Sequence, residues 1–206
     1  LSSDLDASIN EGWEVGLKFT PTDWLNGRIA VWQQVASGEF KTRLEDANND
    51  SENIGKTQRR GIDFQFNAQA SDKLGLWFAA SFQDSEILKA GADKPLNKGN
   101  EIDHVPHYLI DAGVDYQATP KLKLSSWVSA QDDAYLNQEN DTNKYGQYVL
   151  VNASASYALT QKVRLDLELK NLFDRYYEYA WKPLNGEAMH SPGDGRSIYG
   201  SIQYDF

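Results

Sequence analysis

The sequence predicts an all-β fold, an antiparallel transmembrane β-barrel segment of about nine long strands. Apolar and polar residues alternate with a period of two through most of the chain, which is typical of strands with one apolar and one wet face. The connections alternate strictly between tight turns and stretches well beyond ten residues, an asymmetry typical of membrane barrels. Many of the strands approach or exceed the ~9–11 residues that cross a bilayer at a tilt.

The first two strands are predicted at 13–19 and 27–41, joined by a tight turn at 20–24. In the first strand every second residue is apolar, and the residues between them are polar or small. The second strand is centred on 28–32, and its sequence leaves open which face points inward. The stretch 45–53 is almost entirely polar and cannot pack, so we expect a solvated loop there. The apolar residues of the first strand are Trp13, Val15, Leu17 and Phe19.

The next four strands form two predicted hairpins, 62–69 with 74–83 and 108–117 with 122–131. Each strand carries Ile, Phe, Leu, Val, Tyr or Ala at most alternate positions. A loop of mixed charge near 86–104 connects the hairpins. The tight turns within them are 70–73 and 118–121.

Strands seven and eight are predicted at 149–157 and 163–170, around a turn at 160–162. A loop rich in Asn and Asp precedes them at 132–145, and a long aromatic loop follows at 174–194. Every polar position of the eighth strand is charged, which fits either solvent or a water-filled lumen. These charged residues are Arg164, Asp166, Glu168 and Lys170.

Four tyrosines lie at strand ends on the apolar face, where the aromatic girdle of a membrane barrel would lie. In a soluble core, each of these tyrosines would need a buried partner for its hydroxyl group. The pattern therefore favours a membrane barrel over a soluble β fold. The four are Tyr108, Tyr116, Tyr157 and Tyr204.

The ninth strand ends the sequence at residue 206, with apolar or aromatic residues at four of five alternate positions. A terminal strand of this kind resembles the C-terminal assembly signal of bacterial outer-membrane β-barrels. The alternative is an ordinary edge strand that ends in Phe. The predicted assembly signal consists of Ile198, Ile202, Tyr204 and Phe206.

Composition narrows the classes of protein. With 206 residues, the chain is long enough for one large domain, and its formal net charge of −10 argues against nucleic-acid binding. It contains no cysteine, which excludes disulfides and thiolate chemistry. The mean hydropathy of −0.62 is compatible with a membrane barrel, because only alternate residues would face lipid. Residues 1–15 contain no signal peptide, so we expect a mature protein or a fragment.

Nine strands place the first and last strand in the same direction, so these two cannot close an antiparallel barrel. Bacterial single-chain barrels have even strand numbers, and unpaired edges are not tolerated in lipid. We therefore expect residues 1–206 to be the C-terminal part of a larger barrel.

Several motifs carry a resemblance to TonB-dependent outer-membrane receptors. Residues 171–177, NLFDRYY, resemble the penultimate-strand signature of that family, and 191–200, SPGDGRSIYG, resemble the start of its last strand. Residues 11–16 and 61–63 resemble its strand starts. The resemblance implies a 22-stranded barrel with an N-terminal plug, in the outer membrane of a Gram-negative bacterium. This chain lacks the plug, the TonB box and at least half of that barrel.

The same resemblance implies the function and the partners. Such receptors import ferric siderophores, haem, cobalamin and similar scarce nutrients, energised by the TonB complex through the missing N-terminal region. The implied partners are the ligand, TonB, the barrel assembly machinery and outer-membrane lipid, without nucleic acid, cofactor or enzymatic activity. Two alternatives remain, a passive outer-membrane pore and a soluble lipocalin-like β-barrel binder.

The best ligand-binding candidates lie in the aromatic loop, because clustered external aromatic rings suit siderophores. The alternative role of these rings is an interfacial girdle. Two tryptophans of the polar face are expected to pack on the plug or to line the path of the ligand, and packing is the simpler role. The candidates are Tyr177, Tyr179, Trp181 and His190 in the loop, and Trp77 and Trp127 on the polar face.

No metal or catalytic site is predicted. His104 and His107 bracket Pro106 without an evident third ligand. The stretch 46–57 has Ser51 and Thr57 at the positions where a calcium loop requires Gly and Glu. Ser191 has no nucleophile-elbow context, which argues against the alternative of an outer-membrane hydrolase.

Overall fold

The computed structural model describes residues 7–42, 51–53, 55–91, 95–181 and 187–206. Nine strands form one antiparallel sheet in the order β1-β2-β5-β6-β7-β8-β9-β10-β13, and two short ribbons, β3-β4 and β11-β12, stand outside it. The sheet is open, with β1 and β13 at its two edges pointing the same way. The strands are β1 (Ile9–Thr22), β2 (Leu25–Ser37), β3 (Phe40–Thr42), β4 (Ser51–Asn53), β5 (Lys56–Ser71), β6 (Leu74–Lys89), β7 (Tyr108–Thr119), β8 (Leu122–Gln131), β9 (Tyr148–Ala158), β10 (Val163–Lys170), β11 (Glu178–Trp181), β12 (Met189–Pro192) and β13 (Ser197–Tyr204).

Helical structure in the described ranges is confined to one 3-10 turn, Pro95–Asn97. No helix in the described part of the chain is long and apolar enough to span a membrane. The predicted all-β, nine-stranded antiparallel fold is confirmed.

The strand register collects the apolar residues on one face of the sheet. One row of directly opposed residues runs Val15, Val31, Ile62, Phe82 and Tyr108 across five strands. Because side chains alternate along each strand, the residues between them form a polar face on the other side.

The register also settles the face of β2 that the sequence left open. Ile29 and Val31 lie on the apolar face, opposite Phe64 and Ile62 of β5. Trp32, between a Glu of β1 and Gly61 of β5, therefore lies on the polar face.

The apolar face is not covered by any described part of the chain. Val15 is 65% exposed, Leu17 63% and Ile202 75%. A soluble monomer rarely exposes a contiguous apolar surface larger than a few hundred Å². This face suits lipid, and it contradicts the dry closed interior that a lipocalin-like fold would require.

Aromatic residues border the apolar band as predicted. Tyr108 lies at one border, beside Phe82 at a ring distance of 6.4 Å, and Tyr116 and Tyr157 lie near the other. From Leu74 to Phe82 the band follows β6 for eight residue steps, about 26 Å along the strand. This length is comparable with the ~25 Å apolar band of membrane barrels.

Several boundaries differ from the sequence predictions. Strands β1 and β5 begin earlier than predicted, at Ile9 and Lys56, and β6 continues to Lys89, into the predicted loop 86–104. The second strand ends at Ser37, where Gly38 takes a left-handed conformation (φ 67°) and the chain turns into the β3-β4 ribbon. Part of the predicted solvated loop 45–53 is therefore strand β4, while 43–50 lie outside the described residues. The aromatic loop 174–194 contains the β11-β12 ribbon. The last strand ends at Tyr204, two residues before Phe206.

Candidate ligand-binding site at the long-loop end

All four long connections leave the sheet at one end, the long-loop end. They are loop A (38–55), loop B (90–107), loop C (132–147) and loop D (171–196). The opposite, short-turn end has the connections 23–24, 72–73, 120–121 and 159–162.

The most deeply buried apolar residues lie towards the long-loop end. Ile87 is fully buried at the top of β6, Ile102 of loop B is 4% exposed, and Ala134 and Leu136 of loop C are 7% and 4% exposed. The backbone of Ile87 pairs with residues 99 and 100 of loop B. The described residues thus form a small packed core where the long-loop end of β6 meets loops B and C.

Loops B and C are joined by hydrogen bonds that enclose Glu101. Asn140, in a left-handed conformation, accepts the backbone N–H of Glu101 at 2.7 Å and donates to its carbonyl oxygen at 3.0 Å. Lys144 binds both carboxylate oxygens of Glu101, at 2.9 and 3.1 Å. Burial lowers the pKa of Lys144, but the Glu101 carboxylate outweighs burial and holds that pKa above its usual value. Loops B and C therefore behave as one unit.

Each histidine of the chain lies beside a carboxylate at this end. His107 lies between Glu101 (3.5 Å) and Asp132 (3.4 Å), one on each ring nitrogen. His104 contacts its neighbour Asp103, and its Nε2 lies 3.3 Å from the carbonyl oxygen of Ala180 in loop D. The carboxylates beside His107 lie on opposite sides of its ring. The described residues contain no metal-binding group of three or more His, Cys, Asp or Glu.

Loop D carries the predicted aromatic residues on its ribbon, and the ribbon divides them. Tyr179 and Trp181 lie on one side, opposite Ser191 and Met189. His190 is paired with Ala180 and therefore lies on the other side, where its Nδ1 is 3.1 Å from Glu178. The period of two that builds the ribbon thus separates residues that the sequence suggested as one cluster.

Residues of loop C and β9 complete two aromatic contacts that the sequence did not reveal. The ring of Tyr177 lies 5.4 Å from that of Tyr148 and 6.1 Å from that of Tyr179. The His190 ring meets Tyr145 edge-on at 5.2 Å. Tyr145 lies in the irregular loop C and Tyr148 directly follows that loop, so no sequence period links them to loop D.

Tyr177 is mainly a packing residue. Its ring covers Gly193, where an added Cβ would lie within the ring. Burial raises its pKa above the usual range. By contrast, Tyr179 is 61% exposed and presents a free ring face to solvent at the long-loop end.

Residues 171–177 and 191–200 are joined in space. Asn171, which is 3% exposed and left-handed, receives a hydrogen bond from the backbone N–H of Arg175 and donates to the carbonyl oxygens of Arg175 and Asp194. Asp174 accepts the backbone N–H of Arg196 at 2.8 Å. These hydrogen bonds join the two motifs into one turn structure, which fixes where β13 begins.

Trp77 and Trp127 lie elsewhere, on the polar face of the sheet. They occupy one row on either side of Gly113. The ring of Trp77 lies directly over that glycine. Trp32 lies over Gly61 in a similar way and was missed because the face of β2 was ambiguous. The rings of Trp77 and Trp32 thus pack on the sheet itself, and Trp77 and Trp127 are not part of the loop D cluster.

Comparisons with known proteins agree with this architecture. Residues 2–172 match the family model of the TonB dependent receptor-like β-barrel. The chain is 24% identical to the probable TonB-dependent siderophore receptor PiuA of Acinetobacter baumannii, over 98% of the chain and 28% of the relative. It is 25% identical to the metal-pseudopaline receptor CntO of Pseudomonas aeruginosa, over the same shares.

A solved structure gives the same fold. The ferric yersiniabactin uptake receptor FyuA of Yersinia pestis superposes with a TM-score of 0.81 at 20% identity, over 97% of this chain and 30% of that one. The chain thus spans somewhat over a quarter of the length of PiuA and of CntO.

Proposed function

Because the chain belongs to the TonB-dependent receptor β-barrel family, we propose that it forms wall and external loops of an outer-membrane importer for a ferric siderophore or similar scarce nutrient. One observation carries the proposal. A nine-stranded sheet with an exposed apolar face sends all four of its long loops to one end. Lipid against the apolar face would account for its exposure, and a ligand bound at the long-loop end would account for the grouping of the four loops.

Residues 1–206 are, in this proposal, the C-terminal segment of a 22-stranded barrel whose plug and earlier strands belong to the same protein. The open edges of β1 and β13 support this, since unpaired strand edges are costly in lipid. The missing strands would pair with these edges. TonB would act through the missing N-terminal region, and the barrel assembly machinery would recognise β13 with Ile198, Ile202, Tyr204 and Phe206.

Within loop D, we assign direct ligand contact to Tyr179 and Trp181, which share one side of the ribbon. Tyr177 and His190 would support that surface through their contacts with Tyr148 and Tyr145. Trp77 and Trp127 would line the inner path or meet the plug. No enzymatic step is part of this function.

The test is a deletion of the gene for the complete receptor, followed by growth on a panel of iron and other metal complexes as sole sources. We expect loss of growth on one class of complex, restored by the intact gene only when TonB is present. Restoration without TonB would contradict energised import and support a passive pore. Recovery of the folded protein without detergent would contradict the membrane assignment.

The residue assignment has its own test. In the complete receptor, the double variant Y179A/W181A is expected to weaken ligand binding at least tenfold, measured by titration in detergent. The matched control is W24A, because Trp24 is an exposed aromatic residue of the short-turn end (52% exposed). Equal affinity in both variants would remove loop D from the site.

A further inference from the structure

We infer that the metal complex accepted at the long-loop end is neutral or cationic, and that polyanionic complexes are excluded. This inference rests on the proposed import function and specifies its substrate class. It follows from where the charge of the chain lies, from how a basic side chain there is engaged, and from the aromatic surface beside the acidic groups.

The negative charge is concentrated in the four long loops. Loops A to D contain 16 Asp and Glu against 8 Lys and Arg, so they account for −8 of the net −10 of the chain. The strands and short turns are therefore close to neutral. Most of the net negative charge of the chain therefore belongs to the loops of the long-loop end.

Two basic groups of this end are already engaged by carboxylates. Lys144 is bound to Glu101 and stands 4.6 Å over the ring of Tyr135. Arg59, on β5 below loop A, makes two hydrogen bonds to the carboxylate of Glu39. Neither group is free to receive the oxygen atoms of an anionic chelate.

Acidic groups outside such pairs lie on the same loops. Glu187 of loop D is exposed, and Asp133 of loop C is half-buried near Lys144. Within the described residues, neither carboxylate forms a salt bridge.

The aromatic surface of loop D fits the same class of ligand. Tyr176 and Tyr179 are 73% and 61% exposed, and the hydroxyl of Tyr176 donates to Glu178 at 2.8 Å. Aromatic faces attract cations and stack on planar uncharged groups, and an adjacent carboxylate strengthens the attraction for a cation. A trianionic complex would gain nothing from this surface and would be repelled by its surroundings.

The electrostatic field of the acidic loops should act mainly on the rate at which the ligand and the receptor associate. Clefts lined by one sign of charge change association rates by roughly 10- to 1,000-fold, and salt screens the effect over about 8 Å at physiological ionic strength. We therefore expect selection by charge to appear first in the association rate and to weaken as salt is added.

The first experiment uses the complete receptor in cells with three ferric complexes, a cationic one, a neutral tris-hydroxamate and a trianionic tris-catecholate. TonB-dependent uptake of the cationic or neutral complex, without uptake of the trianionic one, is expected. Uptake of the trianionic complex alone would overturn the inference and leave the import function intact. Absence of TonB-dependent uptake for any metal complex would overturn both.

The second experiment reverses charge at one end of the sheet. The variant D133K/E187K is expected to slow association of the cationic complex about tenfold at low salt and to admit the trianionic complex. The control D23K/D72K makes the same change in net charge on exposed residues of the short-turn end. It is expected to leave both rates unchanged. Equal effects of the two variants would overturn the inference, because only the total charge would then matter.

Discussion

The sheet and the long-loop end are stabilised in different ways. Away from its long-loop end the sheet has few buried side chains and exposes an apolar face, so we attribute its order to backbone pairing and, in the proposed membrane, to lipid. The long-loop end contains buried Ile87, Ile102 and Leu136, and the hydrogen bonds around Glu101. The effect of a substitution in the sheet on stability should therefore depend on the face that it alters. The effect of a substitution in the loops should depend on the particular side chains and backbone groups that it contacts.

The strongest test of this contrast places one charge on each face of the sheet. A112K puts a lysine in the apolar band, where Ala112 lies opposite Phe78 and Val128. The expected cost is about 2–4 kcal/mol near the bilayer midplane, measured as the folded fraction of the complete receptor in outer membranes. The matched control, A79K, places a lysine on the polar face opposite Asp111 and should be tolerated. Equal losses would contradict the assignment of the faces.

The second prediction concerns the end of β13. Deletion of Phe206, which is fully exposed beyond the strand, should strongly lower the amount of receptor assembled in the outer membrane. The reason is loss of the terminal aromatic residue of the proposed assembly signal. D205A is the control, since Asp205 precedes that residue and bonds to Lys162 through its backbone. Wild-type levels after the deletion would remove Phe206 from the signal.

The same contrast explains what the sequence could predict. A period of two is local, so the apolar faces, the nine strands and the tight turns could be inferred from neighbouring residues. The loop contacts join residues far apart in the chain, such as Glu101 with Asn140 or His104 with Ala180. No local pattern specifies them, and the division of Tyr179 from His190 depends on a ribbon whose register is visible only in three dimensions.

A third prediction tests whether the polar-face tryptophans pack on the wall. G113A adds a methyl group where the ring of Trp77 lies and should cost about 1–3 kcal/mol in urea unfolding of the complete receptor. In the W77A background, G113A should cost less than it does in the native receptor, because the indole ring that the added methyl group would meet is absent. G75A is the control, since no atom approaches closer than 3.6 Å to its added Cβ. Strictly additive losses would show that the two positions do not interact.

The smallest effect is expected in loop A and depends on pH. Glu39 accepts hydrogen bonds from Arg59 and Thr57. Burial raises its pKa, but these partners outweigh burial and hold the pKa below its ordinary value of 4.5. Because the folded pKa is the lower one, the interaction stabilises loop A fully above 4.5 and is lost as pH falls through the folded value.

Hydrogen–deuterium exchange at the base of loop A measures this loss. Exchange in the native receptor should approach that of E39Q only well below pH 4.5, and E39Q should already exchange faster at neutral pH. K98Q, an exposed change in loop B, is the control at every pH. A native loop that exchanges like E39Q at neutral pH would mean that its order comes from the ribbon backbone alone, as in the sheet, and the two regions would then differ less than their side chains imply.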